Sequence, residues 1–149
     1  MRAVVQRVNK SSVTIDGKVV GKINEGFTVL VGFTHTDTIE DIKYIVKKIV
    51  NLRIMDDENG VMNKSIIDTG GSILSISQFT LYGDAKKGNR PSYVKALGGE
   101  QASPMYDKFN ELLREHVTVE TGIFGADMKV SIENNGPVTI LLDTDERNS

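Results

Sequence analysis

Two short segments that lie far apart in the chain set polar residues within apolar sequence. The first is Ser77-Gln78-Phe79-Thr80-Leu81, and the second is Asn134-Asn135-Gly136-Pro137-Val138-Thr139. The first offers hydroxyl and amide groups that are suited to orient or attack a carbonyl. The second contains a glycine, which lets the backbone approach a ligand closely. We interpret the two segments as the two halves of one active site.

The first segment follows an apolar run that predicts a strand over residues 72–81, with Gln78 and Thr80 on one face. Ser77 and Thr80 are the candidate nucleophiles, but a hydroxyl needs an adjacent base. No histidine, lysine or terminal amine is next to either residue in the sequence. Gln78 is suited to orient a ribose or an ester through its amide. Backbone N–H groups are candidates to stabilise an oxyanion, which requires no particular side chain.

The second segment places Gly136 and Pro137 between two apolar stretches that read as strands, residues 128–132 and 138–142. Proline has no N–H to donate to a ladder, so strand pairing should be interrupted at this point. Cis peptide bonds are essentially confined to the bond before proline. The sequence therefore predicts an interrupted ladder with a cis peptide bond between Gly136 and Pro137.

A glycine-rich segment, residues 83–90, follows the first candidate segment and carries three cations. It has the two glycines of a phosphate-binding loop, but Asn89 stands where that loop needs lysine. We therefore exclude a nucleoside-triphosphate loop. The cations are suited to contact nucleic-acid phosphates, although a solvated turn explains the composition as well. They are Lys86, Lys87 and Arg90.

The elements that would position these segments form a mixed pattern. Residues 3–8, 12–15, 19–23 and 27–33 read as strands, with Asp16-Gly17 as a hairpin turn and 27–33 as a buried central strand. A helix follows Thr38, because apolar residues recur with helical spacing between Ile39 and Val50. Strands are also predicted for residues 52–55 and 117–121.

A second helix is predicted to begin with Ser103 as the N-cap and Pro104 as the first helical residue. The fold class is therefore mixed α/β, with largely antiparallel sheets, barrel-like or layered, and two helices packed on one side. The whole chain, residues 1–149, is expected to form a single domain with a polar, frayed tail from about residue 144.

The composition excludes several functional classes. The chain has no cysteine, which removes disulfides and thiol nucleophiles, and we predict neither a metal site nor a cofactor. Its acidic stretch, residues 56–60, lacks the first and twelfth ligands of a calcium loop. A net charge of −2 confines any contact with RNA to a local patch. No apolar run approaches the length of a membrane span, so we expect a cytoplasmic protein without a membrane partner.

From residue 1 to about residue 143 the sequence resembles the D-aminoacyl-tRNA deacylase family. Ser77-Gln78-Phe79-Thr80-Leu81 is similar to one signature of that family, and Asn134-x-Gly136-Pro137-Val138-Thr139 to the other. Two further stretches are similar as well, residues 121–128 and 82–91. Asn135 departs from the family pattern, where aspartate is frequent, and this matters little because the backbone carries the role.

The resemblance implies an enzyme that hydrolyses the ester between a D-amino acid, or glycine, and tRNA. It also implies a homodimer with the active site at the subunit interface, in which Gly136 and Pro137 of one subunit enter the other's pocket and exclude L side chains. Ser77, Gln78, Phe79 and Thr80 would hold the adenosine and the ester, with help from the ribose 2′-OH. Two alternatives stay open: a threonine-nucleophile esterase centred on Thr80, and a non-catalytic RNA-binding module.

Overall fold

A computed structural model describes residues 1–147 of the chain. The elements, in chain order, are the strands and helices β1 (Arg2–Ile15), β2 (Lys18–Ile23), β3 (Gly26–Gly32), α1 (Ile39–Asn51), β4 (Met55–Asp56), β5 (Met62–Lys64), α2 (Ile66–Thr69), β6 (Ser72–Ser77), α3 (Gly99–Arg114), β7 (Thr118–Thr121) and β8 (Lys129–Asp143). Two 3-10 turns cover Phe79–Tyr82 and Thr144–Glu146.

Six of these strands form one strongly curved, barrel-like sheet. Its order is β2-β1-β3-β6-β7, and β8 pairs with the other side of β1. The three pairings of β1 are antiparallel, whereas β3 pairs with β6 and β6 with β7 in parallel. The mixed α/β prediction is confirmed, with three helices rather than two in the described residues.

The first strand is longer than predicted, because residues 3–8 and 12–15 join into the single strand β1. The polar stretch between them stays in the sheet because β8 pairs with it, Lys10 opposite Glu133 and Ser11 opposite Ile132. The buried Ser11 hydroxyl accepts a hydrogen bond from the Thr28 hydroxyl at 2.7 Å, so its polarity is satisfied. The predicted hairpin turn at residues 16–17 is confirmed, and both residues have positive φ.

The last strand also joins two predicted strands. β8 runs continuously from residue 129 to 143, past the glycine and proline of the second candidate segment. The ladder with β1 nevertheless changes register there, because Gln6 lies opposite Thr139 while Val8 lies opposite Asn134. Four residues of β8 therefore face a single residue of β1, Arg7. This bulge is the interruption that proline was predicted to cause.

The helices follow their predicted faces but not all of their predicted ends. α1 begins after Thr38 in a capping box, in which the Asp41 carboxylate accepts from the Thr38 N–H at 2.8 Å. The predicted start of α3 is wrong, because α3 begins at Gly99 and contains Pro104. Proline inside a helix removes one backbone hydrogen bond. Burial of the apolar face of α3 offsets that loss, and the Tyr106 hydroxyl donates to the carbonyl of Ser75 in β6 at 2.7 Å.

The core lies on both faces of β3 and β6. A large cluster packs the helices against one face and includes Phe27, Val29 and Ile73. A smaller cluster covers the opposite face and includes Leu74 and Ile76. Burial on both faces explains why β3 is a nearly continuous apolar run rather than an alternating one.

The end of the described chain is ordered, so the prediction of a frayed tail is wrong for residues 144–147. Thr144 is buried, and its backbone N–H donates to the carbonyl of Met1 at 3.0 Å. Residues 148 and 149 of the predicted tail lie outside the described residues. The predicted strand over residues 52–55 is also mostly absent, because β4 contains only Met55 and Asp56.

Candidate active site

The first candidate segment is a strand that becomes a turn. β6 pairs with β3 up to Ser77, and the Gln78 N–H still donates to the Val31 carbonyl at 2.7 Å. The 3-10 turn Phe79–Tyr82 then replaces the strand that was predicted to reach residue 81. Gly32, at the end of β3, permits this path because a Cβ there would lie 2.9 Å from the Gln78 carbonyl oxygen.

The turn places four consecutive residues at one cavity of about 550 Å³. A strand would have sent alternate side chains to opposite faces, whereas Ser77, Gln78, Phe79 and Thr80 all line the same space. The predicted site residues of the first segment are therefore brought together. The remaining lining residues come from the end of β3, the loop before α3, the start of α3 and the loop before β8: Gly32, Phe33, Tyr93, Ala96, Leu97, Gly98, Gly99, Ala102, Phe124, Gly125, Ala126 and Met128.

Backbone donors are available at the cavity wall. Gly98 and Gly99 line it and form the N-terminus of α3, where the first N–H groups of a helix have no partner within the helix. Such groups, together with the positive end of the helix dipole, favour negative charge. The cavity can therefore stabilise an oxyanion or a carboxylate without a charged side chain.

The Thr80 hydroxyl is not arranged as a nucleophile. The Gln78 side-chain amide donates to its oxygen at 3.0 Å. An amide N–H is a donor and takes no proton from a hydroxyl, so this contact orients Thr80 without activating it. The pair instead presents a fixed amide and a fixed hydroxyl to whatever occupies the cavity.

Two aromatic rings form the rim of the cavity. Phe79 and Tyr93 are exposed by 57% and 41%, and their rings meet edge to face with centroids 5.1 Å apart. Exposed aromatic rings beside a cavity are suited to stack against a base. Tyr93 was not predicted from the sequence, and it approaches Phe79 because mutual backbone hydrogen bonds between Asp84 and Ser92, both 2.8 Å, close the intervening loop.

The second candidate segment contains the predicted cis peptide bond between Gly136 and Pro137. Both residues are exposed in the chain, and neither lines the cavity of the first segment. They lie beside Arg7, which pairs with Phe27, whereas the cavity is at Gly32. Five residues of β3 separate these positions, roughly 16 Å along the strand. Within one chain the two segments do not meet.

Arg7 of β1 anchors the second segment by a hydrogen bond to its backbone. Its Nε donates to the Asn135 carbonyl at 3.0 Å, and one terminal nitrogen donates to the Ile54 carbonyl at 2.8 Å and to the Asp56 carboxylate at 3.0 Å. The Arg7 side chain is only 9% exposed. Nothing in the local sequence marked Arg7, because its partners lie 47 to 128 residues away.

Asn134 fixes the segment from within β8. Its side-chain oxygen accepts from the Val138 N–H at 2.9 Å, and its side-chain nitrogen donates to the Thr139 hydroxyl at 3.0 Å. Gly136 has φ of +134°, a conformation that favours glycine. The exposed backbone of residues 135–137 is thus held in one orientation by side chains on both sides.

The three cations of the glycine-rich loop are exposed. The Lys86 backbone N–H donates to the Asp84 carboxylate at 3.0 Å, and this hydrogen bond is the main reason why the pKa of Asp84 lies below its usual value. Lys86 lines a further cavity together with Arg2 and Lys95. Lys87 and Arg90 lie further along the loop.

Among residues 1–147 we find no group of three or more acidic or histidine side chains that could hold a metal ion. In the same range, no helix is both long enough and apolar enough to cross a membrane.

Comparison with known proteins assigns the family. The family profile described as D-Tyr-tRNA(Tyr) deacylase matches residues 4–143. The chain is 59% identical over 145 residues to a D-aminoacyl-tRNA deacylase of Clostridium novyi (strain NT) and 61% identical over 145 residues to one of Clostridium botulinum (strain 657 / Type Ba4). Each match covers 97% of both sequences. The chain is thus a hydrolase. It belongs to the D-Tyr-tRNA(Tyr) deacylase family, which confirms the resemblance stated above.

Solved structures share the fold of this chain. A structure described as c-Myc DNA unwinding element binding protein is 44% identical, has a TM-score of 0.92, and is matched over 96% of this chain and 98% of that one. A probable eukaryotic D-amino acid tRNA deacylase is 17% identical with a TM-score of 0.82, matched over 95% and 97% of the two chains. The second likeness supports the fold alone.

Proposed function

We propose that the chain hydrolyses the ester bond of D-aminoacyl-tRNA, and of glycyl-tRNA mischarged on tRNA-Ala, releasing the amino acid and the tRNA. The protein would act as one cytoplasmic domain that removes mischarged tRNA. The observation that carries the proposal is the segment at residues 77–80, whose polar groups line one cavity beside the N-terminus of α3. Family membership supplies the reaction class.

In the proposed mechanism, the terminal adenosine lies against Phe79 and the scissile ester lies at Gln78 and Thr80. Water attacks the ester carbonyl, the C–O bond to the ribose 3′ oxygen breaks, and that oxygen takes up a proton. Backbone N–H groups stabilise the negative charge of the tetrahedral intermediate. The neighbouring ribose 2′-OH assists the proton transfer, so orientation replaces a catalytic base. The amide donor on Thr80 favours this route over a threonine nucleophile.

We propose that chirality is read by Gly136 and Pro137 of a partner subunit in a homodimer. The two residues are exposed and held in place, and roughly 16 Å of β3 separates their position from their own chain's cavity. A second copy of the chain would therefore supply them as a wall of that cavity. Their carbonyls would crowd the position of an L side chain, whereas D-residues and glycine avoid the clash. Selectivity then rests on repulsion of the wrong substrate.

The basic loop is proposed to contact tRNA phosphates. The chain has a net charge of −2, so attraction for tRNA must come from a local concentration of cations. Three exposed cations within five residues supply that concentration beside the cavity. They are Lys86, Lys87 and Arg90.

The proposed reaction is tested by following amino-acid release from matched D- and L-tyrosyl-tRNA and from glycyl-tRNA-Ala. We expect turnover of the D and glycyl substrates and little turnover of the L substrate. Tight binding of charged tRNA without release would instead indicate the non-catalytic module. An acyl adduct on Thr80, trapped and located by mass spectrometry, would instead indicate the threonine esterase.

Subunit mixing tests the cross-subunit wall. Ala126→Trp fills the cavity, and Gly136→Ala alters the wall, so each variant alone should be inactive. A heterodimer of the two regains one complete site if the wall comes from the partner, which gives about a quarter of wild-type activity after random exchange. Absence of recovery, with heterodimers demonstrated by mass spectrometry, would place the wall and the cavity in the same chain.

A further inference from the structure

A second cavity, of about 380 Å³, lies on the other side of the turn that lines the first. Residue Thr80 of this turn faces the first cavity, and Tyr82 lines the second. Two residues of a 3-10 turn advance only about 4 Å, so the two cavities are close neighbours. The second one is lined by Arg2, Tyr82, Gly83, Asp84, Ala85, Lys86 and Lys95.

The cationic side chains at the second cavity supply donors for an anion. Three cations line it, namely Arg2, Lys86 and Lys95, and two carboxylates contact them. Asp143 accepts from Arg2 Nε at 3.0 Å, and Asp84 lies 3.7 Å from the Lys95 ammonium. Asp37 and Asp145 also act on Tyr82, and Asp37 is paired with the N-terminal ammonium at 2.7 Å. An anion would therefore be recognised by the donors that face the cavity rather than by an excess of positive charge.

Arg2 is held with donors to spare. Its guanidinium lies 4.5 Å from the centre of the Tyr82 ring, and one terminal nitrogen donates to the Leu81 carbonyl at 2.9 Å. A guanidinium has five N–H groups, and the contacts to Asp143 and Leu81 use two of them. The contact to Leu81 also ties Arg2 to the turn that lines the first cavity.

The backbones of both lysines are fixed. The Lys95 carbonyl accepts from the Thr34 hydroxyl at 2.5 Å, while the Lys86 N–H donates to Asp84. The lysine side chains themselves remain free to reach an anion, because Lys95 forms only a loose pair with Asp84. Oxygen-rich anions with several acceptors suit such a mixture of one guanidinium and two ammonium groups.

We propose that the second cavity binds the phosphate that joins the terminal adenosine of tRNA to the preceding nucleotide. This inference rests on the proposed function, which puts the adenosine against Phe79 in the first cavity. The phosphate attached to that adenosine must then lie within one nucleotide of the turn, where Arg2, Lys86 and Lys95 converge. Lys87 and Arg90 would contact phosphates further along the strand.

The test measures binding of small probes by calorimetry at low salt, without any hydrolysis. The probes are adenosine, adenosine 5′-monophosphate, the dinucleotide CpA and inorganic phosphate. We expect wild-type protein to bind CpA and the monophosphate at least about tenfold more tightly than adenosine. Equal affinity for adenosine and CpA would overturn the proposal, and so would inorganic phosphate binding as tightly as CpA, since the site would then recognise free phosphate.

The double variant Lys86→Ala with Lys95→Ala should bind adenosine as wild type does but lose the preference for CpA. The control Lys47→Ala removes an exposed lysine of α1, outside both cavities, and should keep that preference. A double variant that retains the preference would refute the assignment. Failure of the proposed function is a separate result, because it would appear as absence of turnover of D-tyrosyl-tRNA while the binding comparison remains measurable.

Discussion

Arg7 is the residue whose replacement most directly connects the stability of the fold to the proposed chiral wall. We consider Arg7→Met, because methionine keeps an unbranched stem for packing and removes every donor. The change leaves the carbonyls of Ile54 and Asn135 without their partner and breaks the pair with Asp56. Both a loss of stability and a looser backbone at residues 135–137 should follow.

The size of the stability loss can be built from the three contacts. An orphaned buried acceptor such as the Ile54 carbonyl costs about 1–3 kcal/mol. The Asn135 carbonyl lies in an exposed residue and can bind water, so removal of its hydrogen bond adds about 0.5–1.5 kcal/mol. The pair with Asp56, whose side chain is 48% exposed, adds at most about 1 kcal/mol. The expected total is about 1.5–5.5 kcal/mol.

Urea unfolding measures this loss, and Asp56→Asn is the matched control. With a slope of about 2 kcal/mol per M, Arg7→Met should lower the midpoint by about 1–3 M. Asp56→Asn removes the charge of the half-exposed partner but keeps a side-chain oxygen that can accept from Arg7, so it should lower the midpoint by at most about 0.5 M. All samples are compared at one protein concentration, because the stability of the proposed homodimer would depend on it.

Deacylation of D- and L-tyrosyl-tRNA, measured well below the unfolding midpoint, gives the functional half of the test. Arg7→Met should lower the ratio of D to L rates by about tenfold, which corresponds to about 1.4 kcal/mol of weakened orientation at the wall. Asp56→Asn should keep the ratio. Equal midpoints for the two variants, together with an unchanged ratio, would refute the role assigned to Arg7.

The remaining predictions concern the wall, the turn and the loop. Gly136→Ala should reduce D-tyrosyl-tRNA hydrolysis by more than about tenfold, because the new Cβ would lie 2.7 Å from a Val138 methyl group; a folded variant with wild-type rates would contradict this. Thr80→Ala should retain a deacylation rate within about tenfold of wild type, whereas replacing the terminal ribose of the substrate by 2′-deoxyribose should lower the rate by about 100-fold or more. The reverse order of these two effects in single-turnover rates would show that Thr80 is the nucleophile. The triple alanine variant of Lys86, Lys87 and Arg90 should lower the log–log slope of tRNA binding against salt by about 0.7 to 0.9 for each phosphate that these cations neutralise, so an unchanged slope would mean a merely solvated loop.

The local sequence pattern was enough to identify the segment at residues 77–80 but not to predict how its residues are arranged in space. The segment at residues 77–80 was visible because its polar residues interrupt an apolar run. The conformation of this segment could not be predicted from the local sequence, because the turn depends on Gly32 in another strand. Gly32 has no side chain and so leaves room for the Gln78 carbonyl. Arg7, Tyr93 and Lys95 were missed for the same reason, since each reaches the site through a fold-back that only the completed chain creates.

The errors in the elements have a similar origin. β1 and β8 were each predicted as two strands, since polar residues and proline divide them, but each supplies the other with a continuous partner. Pro104 was predicted to begin a helix, and tertiary burial of Tyr106 and Phe109 carries α3 through it instead. The face of α1 was predicted well, because its spacing and its cap both act within a few residues.

The pairing of β1 with β8 affects how the chain behaves during its synthesis on the ribosome. β1 is among the first segments to be synthesised, but its partners in β8 are among the last. Arg2 pairs with Asp143, and Thr14 pairs with Lys129. Until residues 129–143 have been synthesised, one whole edge of β1 offers unpaired N–H and C=O groups to other chains. Nascent chains should therefore be most prone to aggregate just before completion. A truncated chain that lacks β8 should be prone to aggregate, although it would still contain every residue that lines the first cavity.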